Sequence, residues 1–338
     1  MKILIYCYPT IGQRVGGLQN QIANTLSALV KQHIDAKLFD AWNDKLDDCD
    51  ILHVFSLTDF SSLNLIKLAK SKGKKVIISS VYNTTSSRLS EKIKIQVSKR
   101  YNWLCTLNHH NYEKMRIADA VIALSNKEKD HLLDVYPEAK DKIRIVGNGI
   151  NQAFLQDNEN HNNAFVEKYL TRDYVLCVGQ IYPNKNQLTI IKSIRNTDVK
   201  LVIIGQVLDV DYYKLCRAAA TENVLFIDPL PYDSPLLIDA YWGARVFALP
   251  SYHEVMPLTA IEAAATNNHL ILTNNSHLGN TIDCFNPAFV SPDDLQGLRK
   301  LILDRIKRPV SYEPALKKAF SWDEVAEKLI AIYTDVLR

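Results

Sequence analysis

The feature that most constrains this chain is an alternation of short apolar runs, rich in β-branched residues, with longer amphipathic segments. Runs that are apolar on both faces are typical of strands in a parallel sheet that helices cover on both sides. Strands are predicted at 2–8, 36–41, 50–56, 75–80, 119–125, 142–147, 174–179, 200–205, 223–227, 245–250, 269–273 and 288–290. Helices are predicted at 18–31, 60–72, 88–104, 126–135, 186–195, 209–220, 234–242, 257–267, 293–306 and 321–337. The sequence therefore predicts an α/β protein with two doubly wound sheets that face a central cleft.

A polar stretch without hydrophobic periodicity, from Gln156 to Asn163, separates the two halves of this pattern. A length of 338 residues is also typical of two domains. We predict a first domain over 1–155, a linker over 156–172, a second domain over 173–320 and a C-terminal helix over 321–338. That helix is a candidate to pack back on the first domain.

Cysteine usage and hydrophobicity exclude several classes of protein. The six cysteines form no C-x-x-C pair, which argues against zinc and redox motifs and favours a reduced, cytoplasmic protein. The first apolar run, Ile3 to Tyr8, is too short for a signal peptide, and no run approaches the ~20 residues of a membrane span. No cluster of His, Asp and Glu suggests a metal site, so we expect no metal and no cofactor.

The segment from Pro250 to Ala265 carries the strongest indication of function. It reads as a strand end, a loop with Glu254, and a helix that begins at Pro257 and contains Glu262. The helix N-terminus favours a phosphate, while the two carboxylates can reach hydroxyl groups near the helix start and along its second turn. A nucleotide sugar has this form, because a diphosphate joins its sugar to its ribose.

Two other loops follow the first strand of each predicted sheet. Val178 to Asn186 contains Lys185, which could neutralise a phosphate, and Val15 to Asn20 contains a glycine pair that would let backbone amides approach one.

These three segments resemble the motifs of glycosyltransferase family 4. The first resembles the family's E-x7-E motif, with Val255 in place of the usual glycine. The second resembles its V-G-R-x-x-x-x-K-N loop, with Gln180 in place of arginine. The resemblance implies a GT-B fold, two Rossmann-like domains, and sugar transfer with retention of configuration. It assigns catalytic roles to Glu254 and Lys185. It assigns donor binding to Gly16, Gly17, Gln180, Lys185, Leu230, Glu254, Val255, Met256, Pro257, Leu258 and Glu262.

The resemblance also implies the substrates. The donor is a nucleotide-diphosphate sugar, and the acceptor is a hydroxyl group of a glycan or of a polyprenyl-linked carrier in cell-surface polysaccharide synthesis. A histidine that many family members carry after the fourth strand is missing, so Tyr82, Asn83 and His109 are the candidates on the acceptor side. Two alternatives stay open, a nucleotide-sugar epimerase of the same fold and a catalytically degenerate scaffold that binds sugar nucleotides.

Basic residues concentrate in the first half of the chain. Residues 67–129 contain 14 Lys and Arg against 4 Asp and Glu. Within this region, one helical stripe of apolar residues is flanked by Lys92, Lys94 and Lys99, a pattern typical of helices that lie in anionic membrane surfaces. The stripe consists of Leu89, Ile93, Val97, Tyr101 and Leu104. We therefore consider a peripheral location on the inner face of the cell membrane, with packing of the stripe on its own sheet as the alternative. No nucleic-acid-binding motif accompanies the charge.

Overall fold

The computed structural model describes residues 1–13, 16–82, 88–100, 106–155, 164–276 and 278–338. Its strands are β1 (Lys2–Tyr6), β2 (Asp35–Leu38), β3 (Ile51–Phe55), β4 (Lys75–Ser79), β5 (Ala120–Ala123), β6 (Ile143–Ile145), β7 (Tyr174–Val178), β8 (Leu201–Ile204), β9 (Val224–Ile227), β10 (Ala244–Leu249), β11 (His269–Thr273) and β12 (Ala288–Val290). Its α-helices are α1 (Gly17–Lys31), α2 (Ser62–Ser71), α3 (Arg88–Arg100), α4 (Leu107–Ile117), α5 (Asn126–Val135), α6 (Gln152–Leu155), α7 (Ala164–Tyr169), α8 (Gln187–Ser193), α9 (Val210–Ala219), α10 (Pro235–Gly243), α11 (Leu258–Ala265), α12 (Leu295–Arg305), α13 (Pro314–Lys318) and α14 (Trp322–Leu337).

The chain forms two compact units. Unit 1 consists mainly of Met1–Gly149 and Trp322–Arg338, and unit 2 mainly of Ile150–Ser276 and Ile282–Ser321. The division after Gly149 lies a few residues before the predicted end of the first domain. Part of the predicted linker is also ordered, because α7 buries Phe165 completely and packs on α10.

Unit 1 contains a six-stranded parallel sheet in the order β2-β1-β3-β4-β5-β6. Its central strands are buried along their whole length, as the continuous apolar runs predict. Helix α14 returns the chain to this unit. There the Tyr333 hydroxyl lies 2.7 Å from Nδ1 of His53, and Nε2 of His53 lies 2.9 Å from Oγ of Ser79. Burial lowers the pKa of His53 to about 3, so the imidazole in this hydrogen-bonded chain is neutral.

Unit 2 contains a second six-stranded parallel sheet, in the order β12-β11-β10-β7-β8-β9. Both sheets are therefore doubly wound, and the α/β two-domain fold is confirmed. In each sheet the chain starts at an inner strand, adds strands on one side and then crosses over to the other side. This topological switch point lies between β1 and β3 in unit 1 and between β7 and β10 in unit 2. Ligands of open α/β sheets bind beyond the carboxyl ends of such strands.

Several elements differ from the sequence predictions. Helix α4 was predicted as a connection, because its sequence from Leu107 to Ile117 is mostly polar and has a weak apolar stripe. It forms because Thr106 caps it, with the hydroxyl accepting a hydrogen bond from the amide of His109. Among the described residues, no helix is long and apolar enough to cross a membrane.

Candidate active site

Two loops of unit 2 meet beyond the carboxyl ends of β7 and β10. Asn184 joins them, because its backbone oxygen accepts from the amide of Tyr252 at 2.8 Å and its side chain donates to the His253 oxygen at 3.1 Å. Asn186 has a left-handed backbone (φ 57°), and its side chain donates to the backbone oxygens of Pro250 and Pro292 at 3.0 and 2.8 Å. These hydrogen bonds, of which the two from Asn186 are buried, fix the loop after β7 to the loop after β10 and to the segment after β12.

The joined loops bring together the two residues that we predicted to be catalytic. Nζ of Lys185 donates to Oε1 of Glu254 at 2.6 Å, and the side chains are only 18% and 11% exposed. Burial alone would lower the pKa of Lys185, but the carboxylate of Glu254 outweighs it and raises that pKa. Lys185 is therefore a cation at neutral pH. Glu254 balances its charge.

Glu262 lies in the second turn of α11 and is 2% exposed. The hydroxyl of Tyr241 donates to its Oε2 at 2.8 Å. Its Oε1 accepts no hydrogen bond of good geometry from any described residue. Burial raises the pKa of Glu262 to about 7, although the hydroxyls of Tyr241 and Tyr232 act in the opposite direction. The site therefore holds a buried carboxyl group with an oxygen that can still accept a hydrogen bond.

The residues between these glutamates are largely withdrawn from solvent. Val255, Met256 and Leu258 are 9%, 5% and 6% exposed. Helix α11 begins at Leu258, so Pro257 is its capping residue and not, as predicted, its first helical residue. Its backbone is extended and no side chain caps the first amides, which leaves them available to an acceptor. Val255 does not have a positive φ, so valine fits here without the backbone freedom of glycine.

Gln180 and Leu230 lie at the same edge of the sheet. The backbone oxygen of Gln180 accepts from Gln187 at 2.9 Å, which holds the start of the loop after β7 against α8. Gly205, at the end of β8, permits this path, because a Cβ there would lie 1.9 Å from the backbone oxygen of Gly179. Leu230 is partly exposed and follows β9, two strands from β7.

The predicted glycine pair lies in unit 1, between β1 and α1. Gly16 precedes α1 with an extended backbone, and Gly17 is the first helical residue. A Cβ on either glycine would meet no atom within 4 Å, so the fold of this unit does not itself require glycine at these positions. No described side chain caps the first turn of α1, and that turn contains no acidic residue. The amides of a helix N-terminus are groups that can bind an anion.

The three residues predicted on the acceptor side, Tyr82, Asn83 and His109, differ in their surroundings. Tyr82 is 2% exposed, its hydroxyl donates to Glu91 at 3.1 Å, and its role is structural, so the prediction that it faces an acceptor is corrected. Asn83 lies outside the described residues. His109 lies near the start of α4, half-buried, and Nδ1 of its ring has no hydrogen-bond partner among the described residues.

Sequence reasoning missed a buried carboxylate that organises the end of β4. Oε1 of Glu128 accepts from the Ser80 hydroxyl at 2.6 Å and from the Tyr82 amide at 2.7 Å, and Oε2 accepts from the Leu124 amide at 2.6 Å. Between Ser80 and Tyr82 the chain passes through Val81 with φ 39°, a strained conformation for a β-branched residue. The spacing Ser125-x-x-Glu128, typical of a capping box, was the signal that could have drawn attention to it.

Among the described residues, no group of three or more His, Cys, Asp or Glu side chains is arranged to hold a metal ion. Lys185 and Glu254 form the ion pair that lies where the two loops of unit 2 meet.

Comparison with known proteins identifies both halves of the chain. Residues 36–154 match the family model described as Glycosyltransferase Family 4, and residues 158–319 match the model described as Glycosyl transferases group 1. The chain is 24% identical over 246 residues to a D-inositol 3-phosphate glycosyltransferase of Corynebacterium diphtheriae, a match that covers 64% of this chain and 56% of that protein. It is 25% identical over 238 residues to an uncharacterized glycosyltransferase of Methanocaldococcus jannaschii, covering 63% and 59%. The aligned regions thus span somewhat more than half the length of these curated relatives.

Solved structures resemble the fold over nearly the whole chain. The Anabaena protein HepE in complex with UDP and glucose superposes with a TM-score of 0.72 at 12% identity, covering 99% of this chain and 100% of that one. The sucrose-phosphate synthase of Thermosynechococcus elongatus gives a TM-score of 0.73 at 16% identity, with coverage of 99% and 98%. Two family models in tandem, glycosyltransferase relatives and a double Rossmann-like fold agree, and the chain belongs to the family 4 glycosyltransferases of the GT-B type.

Proposed function

We propose that the protein transfers a sugar from a nucleotide-diphosphate sugar to a hydroxyl group, with retention of the anomeric configuration. The observation that carries this proposal is the pair of Lys185 and Glu254 at 2.6 Å, held beyond β7 and β10, with Glu262 in the second turn of the helix that follows. Lys185 binds the donor diphosphate, Glu254 contacts the transferred sugar, and Glu262 accepts hydrogen bonds from the ribose. Because HepE was solved with UDP and with UDP-glucose, UDP-sugars are the donors to test first.

Donor binding requires the ion pair to exchange partners. The diphosphate takes the place of the Glu254 carboxylate beside Nζ of Lys185, and Glu254 is then released toward the sugar hydroxyls. In the transfer, the acceptor oxygen bonds to the anomeric carbon on the face from which the diphosphate leaves. The electron pair of the breaking bond passes to the phosphate oxygen, which takes the proton of the acceptor hydroxyl. Lys185 and the first amides of α11 stabilise the charge that develops on the diphosphate.

The acceptor is a hydroxyl group of a glycan or of a polyprenyl-linked carrier. The UDP-glucose complex of HepE supports the donor assignment. In the following assay water takes the place of the acceptor, so the assay tests the donor alone.

The test is incubation of the protein with UDP- and GDP-sugars while nucleotide release and the sugar protons are followed by NMR. We expect slow release of nucleotide diphosphate, with the free sugar appearing first in the donor's anomeric configuration. Lys185→Ala should lower the rate at least tenfold. Because the ion pair is largely buried, the variant also leaves the Glu254 carboxylate without its partner and should lose stability, so the rates are compared at a temperature at which both proteins are folded. The matched control is Lys214→Ala, on the exposed side of α9, which should keep the rate of the original protein. Inversion at C2 of the donor sugar would identify an epimerase, and binding without any turnover would identify a scaffold.

We also propose that unit 1 docks on an anionic membrane surface through α3. Three residues of the predicted apolar stripe, Leu89, Ile93 and Val97, are 68%, 55% and 45% exposed, so they do not pack on the sheet. The buried face of α3 is a different one, formed by Glu91, Ile95 and Ser98. Tyr101 and Leu104 lie outside the described residues.

The charge around the stripe supports a lipid partner. The exposed residues of α3 beside the stripe include Arg88, Lys94 and Arg100, whereas Lys92 is paired with Asp134 at 2.5 Å. Each basic residue near anionic lipid contributes about 1 kcal/mol, and exposed apolar side chains that enter the interface add to this.

Sedimentation with vesicles tests this surface. We expect binding to phosphatidylcholine vesicles that contain phosphatidylglycerol, little binding to phosphatidylcholine alone, and release by salt. Replacing Leu89 and Ile93 together by Ser should weaken binding about tenfold or more. The matched control replaces Val210 and Leu215 of α9 together by Ser, since both side chains are exposed in unit 2, at 60% and 58%. Equal loss in both double variants would contradict the assignment to α3.

A further inference from the structure

Tyr241 connects helix α10 to the carboxyl group that we assign to the ribose of the donor. It lies near the end of α10 and is completely buried, and its hydroxyl donates to Oε2 of Glu262 in α11 at 2.8 Å. Burial and the carboxylate of Glu262 together raise the pKa of Tyr241 well above its ordinary value. The hydroxyl therefore keeps its proton and is the donor in this hydrogen bond.

The surrounding core fixes where the Tyr241 hydroxyl lies. The ring of Phe154 meets the ring of Tyr241 edge-on, with 5.3 Å between the ring centroids, and the ring of Phe247 stacks on it at 6.2 Å. The side chain of Asn268 donates to the backbone oxygen of Tyr241 at 2.9 Å. These three neighbours are also completely buried. Because side chains in a closely packed core cannot move far without displacing their neighbours, the packing holds the hydroxyl in one position.

The side chain of Glu262 is long and has several rotatable bonds, so it depends on a partner to keep one orientation. Tyr241 occupies its Oε2 and leaves its Oε1 able to accept a further hydrogen bond. A carboxylate that is already oriented loses less conformational entropy when a ligand binds, and this raises the affinity. The geometry is that of a preorganised hydrogen-bond acceptor.

Hydroxyl groups counteract the effect of burial on Glu262. Burial raises the pKa of this carboxyl group to about 7, while the hydroxyls of Tyr241, in α10, and Tyr232, in the segment after β9, act to lower it. Cys177 in β7 acts on Tyr241 in turn, but burial raises the pKa of its thiol to about 12, so the thiol is neutral. Loss of the Tyr241 hydroxyl should therefore destabilise the ionised form of Glu262, which is the form that accepts hydrogen bonds best.

We propose that Tyr241 is a positioning residue for donor binding, which orients the carboxylate of Glu262 for the ribose hydroxyl groups. It acts through Glu262 and does not itself contact the donor. This inference rests on the proposed function, because that function assigns Glu262 to the ribose. It follows that Tyr241 should contribute to nucleotide affinity only when the ribose hydroxyl groups are present.

The test compares two pairs of ligands by calorimetric titration at about pH 8, above the pKa of Glu262. The pairs are UDP and GDP, each with its 2′,3′-dideoxy counterpart, which lacks both ribose hydroxyl groups. The base that binds the original protein more tightly is used for the variants. We expect Tyr241→Phe to weaken binding of the complete nucleotide about tenfold, and to change binding of the dideoxy nucleotide by less than about twofold.

Tyr174→Phe controls for a general disturbance of α10. Tyr174 lies in β7, is completely buried and donates to the backbone oxygen of Ala240 at 2.6 Å. Removing its hydroxyl affects the same helix, one residue before Tyr241, but takes no hydrogen bond from Glu262. This variant should keep the affinity ratio of the original protein for the complete and the dideoxy nucleotide. The pH below which affinity falls should be higher in Tyr241→Phe than in the original protein, and unchanged in Tyr174→Phe.

The outcomes separate this inference from the proposed function. If the original protein distinguishes the two nucleotides and Tyr241→Phe keeps the same ratio, the positioning role is overturned, and an equal change of ratio in Tyr174→Phe overturns it too. Equal affinity of the original protein for both nucleotides contradicts the assignment of Glu262 to the ribose, and this inference falls with that assignment. Binding of neither UDP nor GDP contradicts the proposed donor itself and everything that rests on it.

Discussion

Glu262 should make binding of the proposed donor depend on pH. The pKa of Glu262 is raised to about 7, because burial disfavours the charged carboxylate. Ribose hydroxyl groups would donate to that carboxylate and stabilise its charged form, which lowers the pKa in the complex. Donor binding at or below neutral pH should therefore release a proton from Glu262.

This linkage predicts how donor affinity depends on pH. The pKa of Glu262 is higher in the free protein than in the complex, so affinity is fully present above about pH 7 and is lost as the pH falls below it, by at most about tenfold per pH unit. Calorimetric titration with UDP-glucose measures this, because its diphosphate keeps its charge over the range.

Glu262→Gln is the control for this prediction. It cannot titrate, so its affinity should be weaker and independent of pH. A similar slope in Glu262→Gln and in the original protein would show that another group takes up the proton.

At the residue scale, the sequence indicates which residues form the candidate site, but not which residues surround them. The motif spacing indicated Lys185, Glu254 and Glu262, because each motif is local in sequence. It could not indicate Tyr241, which donates to Glu262 from another helix, since that contact depends on packing across 21 residues. Tyr82 was misassigned for the same reason. Its place after β4 was predicted, but its inward direction depends on partners in α3 and α5.

At the scale of elements, α5 acts on β4 through one side chain. Glu128 lies in the first turn of α5 and accepts from Ser80, Tyr82 and Leu124, so the strained backbone at Val81 is held by a neighbouring helix. Hydrogen bonds from backbone amides to a buried carboxylate are strong, and a buried donor that loses its partner costs about 1–3 kcal/mol.

We predict that Glu128→Ala lowers the free energy of unfolding by about 2–5 kcal/mol, because it leaves the buried amides of Tyr82 and Leu124 without their acceptor, whereas the Ser80 hydroxyl can still donate to the Ile122 oxygen at 2.9 Å. Urea denaturation measures the loss. Asp130→Ala is the matched control, since Asp130 is exposed on the same helix and its removal should change stability by less than about 0.5 kcal/mol. Equal effects in the two variants would contradict the assigned role.

The helices and strands themselves were predicted closely wherever the apolar pattern was strong. Helix α5 begins and ends as predicted, and so do β11 and β12. Helix α4 was missed because its exposed surface is polar on most sides. For α3 the sequence indicated an apolar stripe, but it did not indicate whether that stripe or another face of the helix is buried. That choice is made by Ile95 and by the pair of Glu91 and His131 at 2.8 Å, which a helical period alone does not reveal.

At the scale of the whole molecule, unit 1 is assembled from both ends of the chain. Helix α14 joins it through Tyr333 and His53, and through Lys31, which pairs with Asp323 at 2.6 Å near the start of that helix. Both members of the first contact are completely buried, whereas the ion pair is half-exposed and contributes little.

We predict that Tyr333→Phe destabilises the protein by about 1–3 kcal/mol, because a buried nitrogen of His53 loses its hydrogen-bond partner. Thermal or urea unfolding measures the change. Tyr213→Phe in unit 2 is the matched control, because it removes a hydroxyl from a half-buried tyrosine for which no hydroxyl hydrogen bond is described. A cost for Tyr333→Phe no larger than that of the control would contradict the importance of this contact.

The return of α14 has a consequence for how the protein is made. Tyr333 and His53 are 280 residues apart in the chain, so the sheet of unit 1 leaves the ribosome long before its last helix does. During that interval the buried face that α14 will cover is open to water, while unit 2 can complete its own sheet from residues synthesised together. The amino-terminal unit, although made first, should therefore be the second to finish folding, and a nascent chain halted before residue 322 should be the form that chaperones retain.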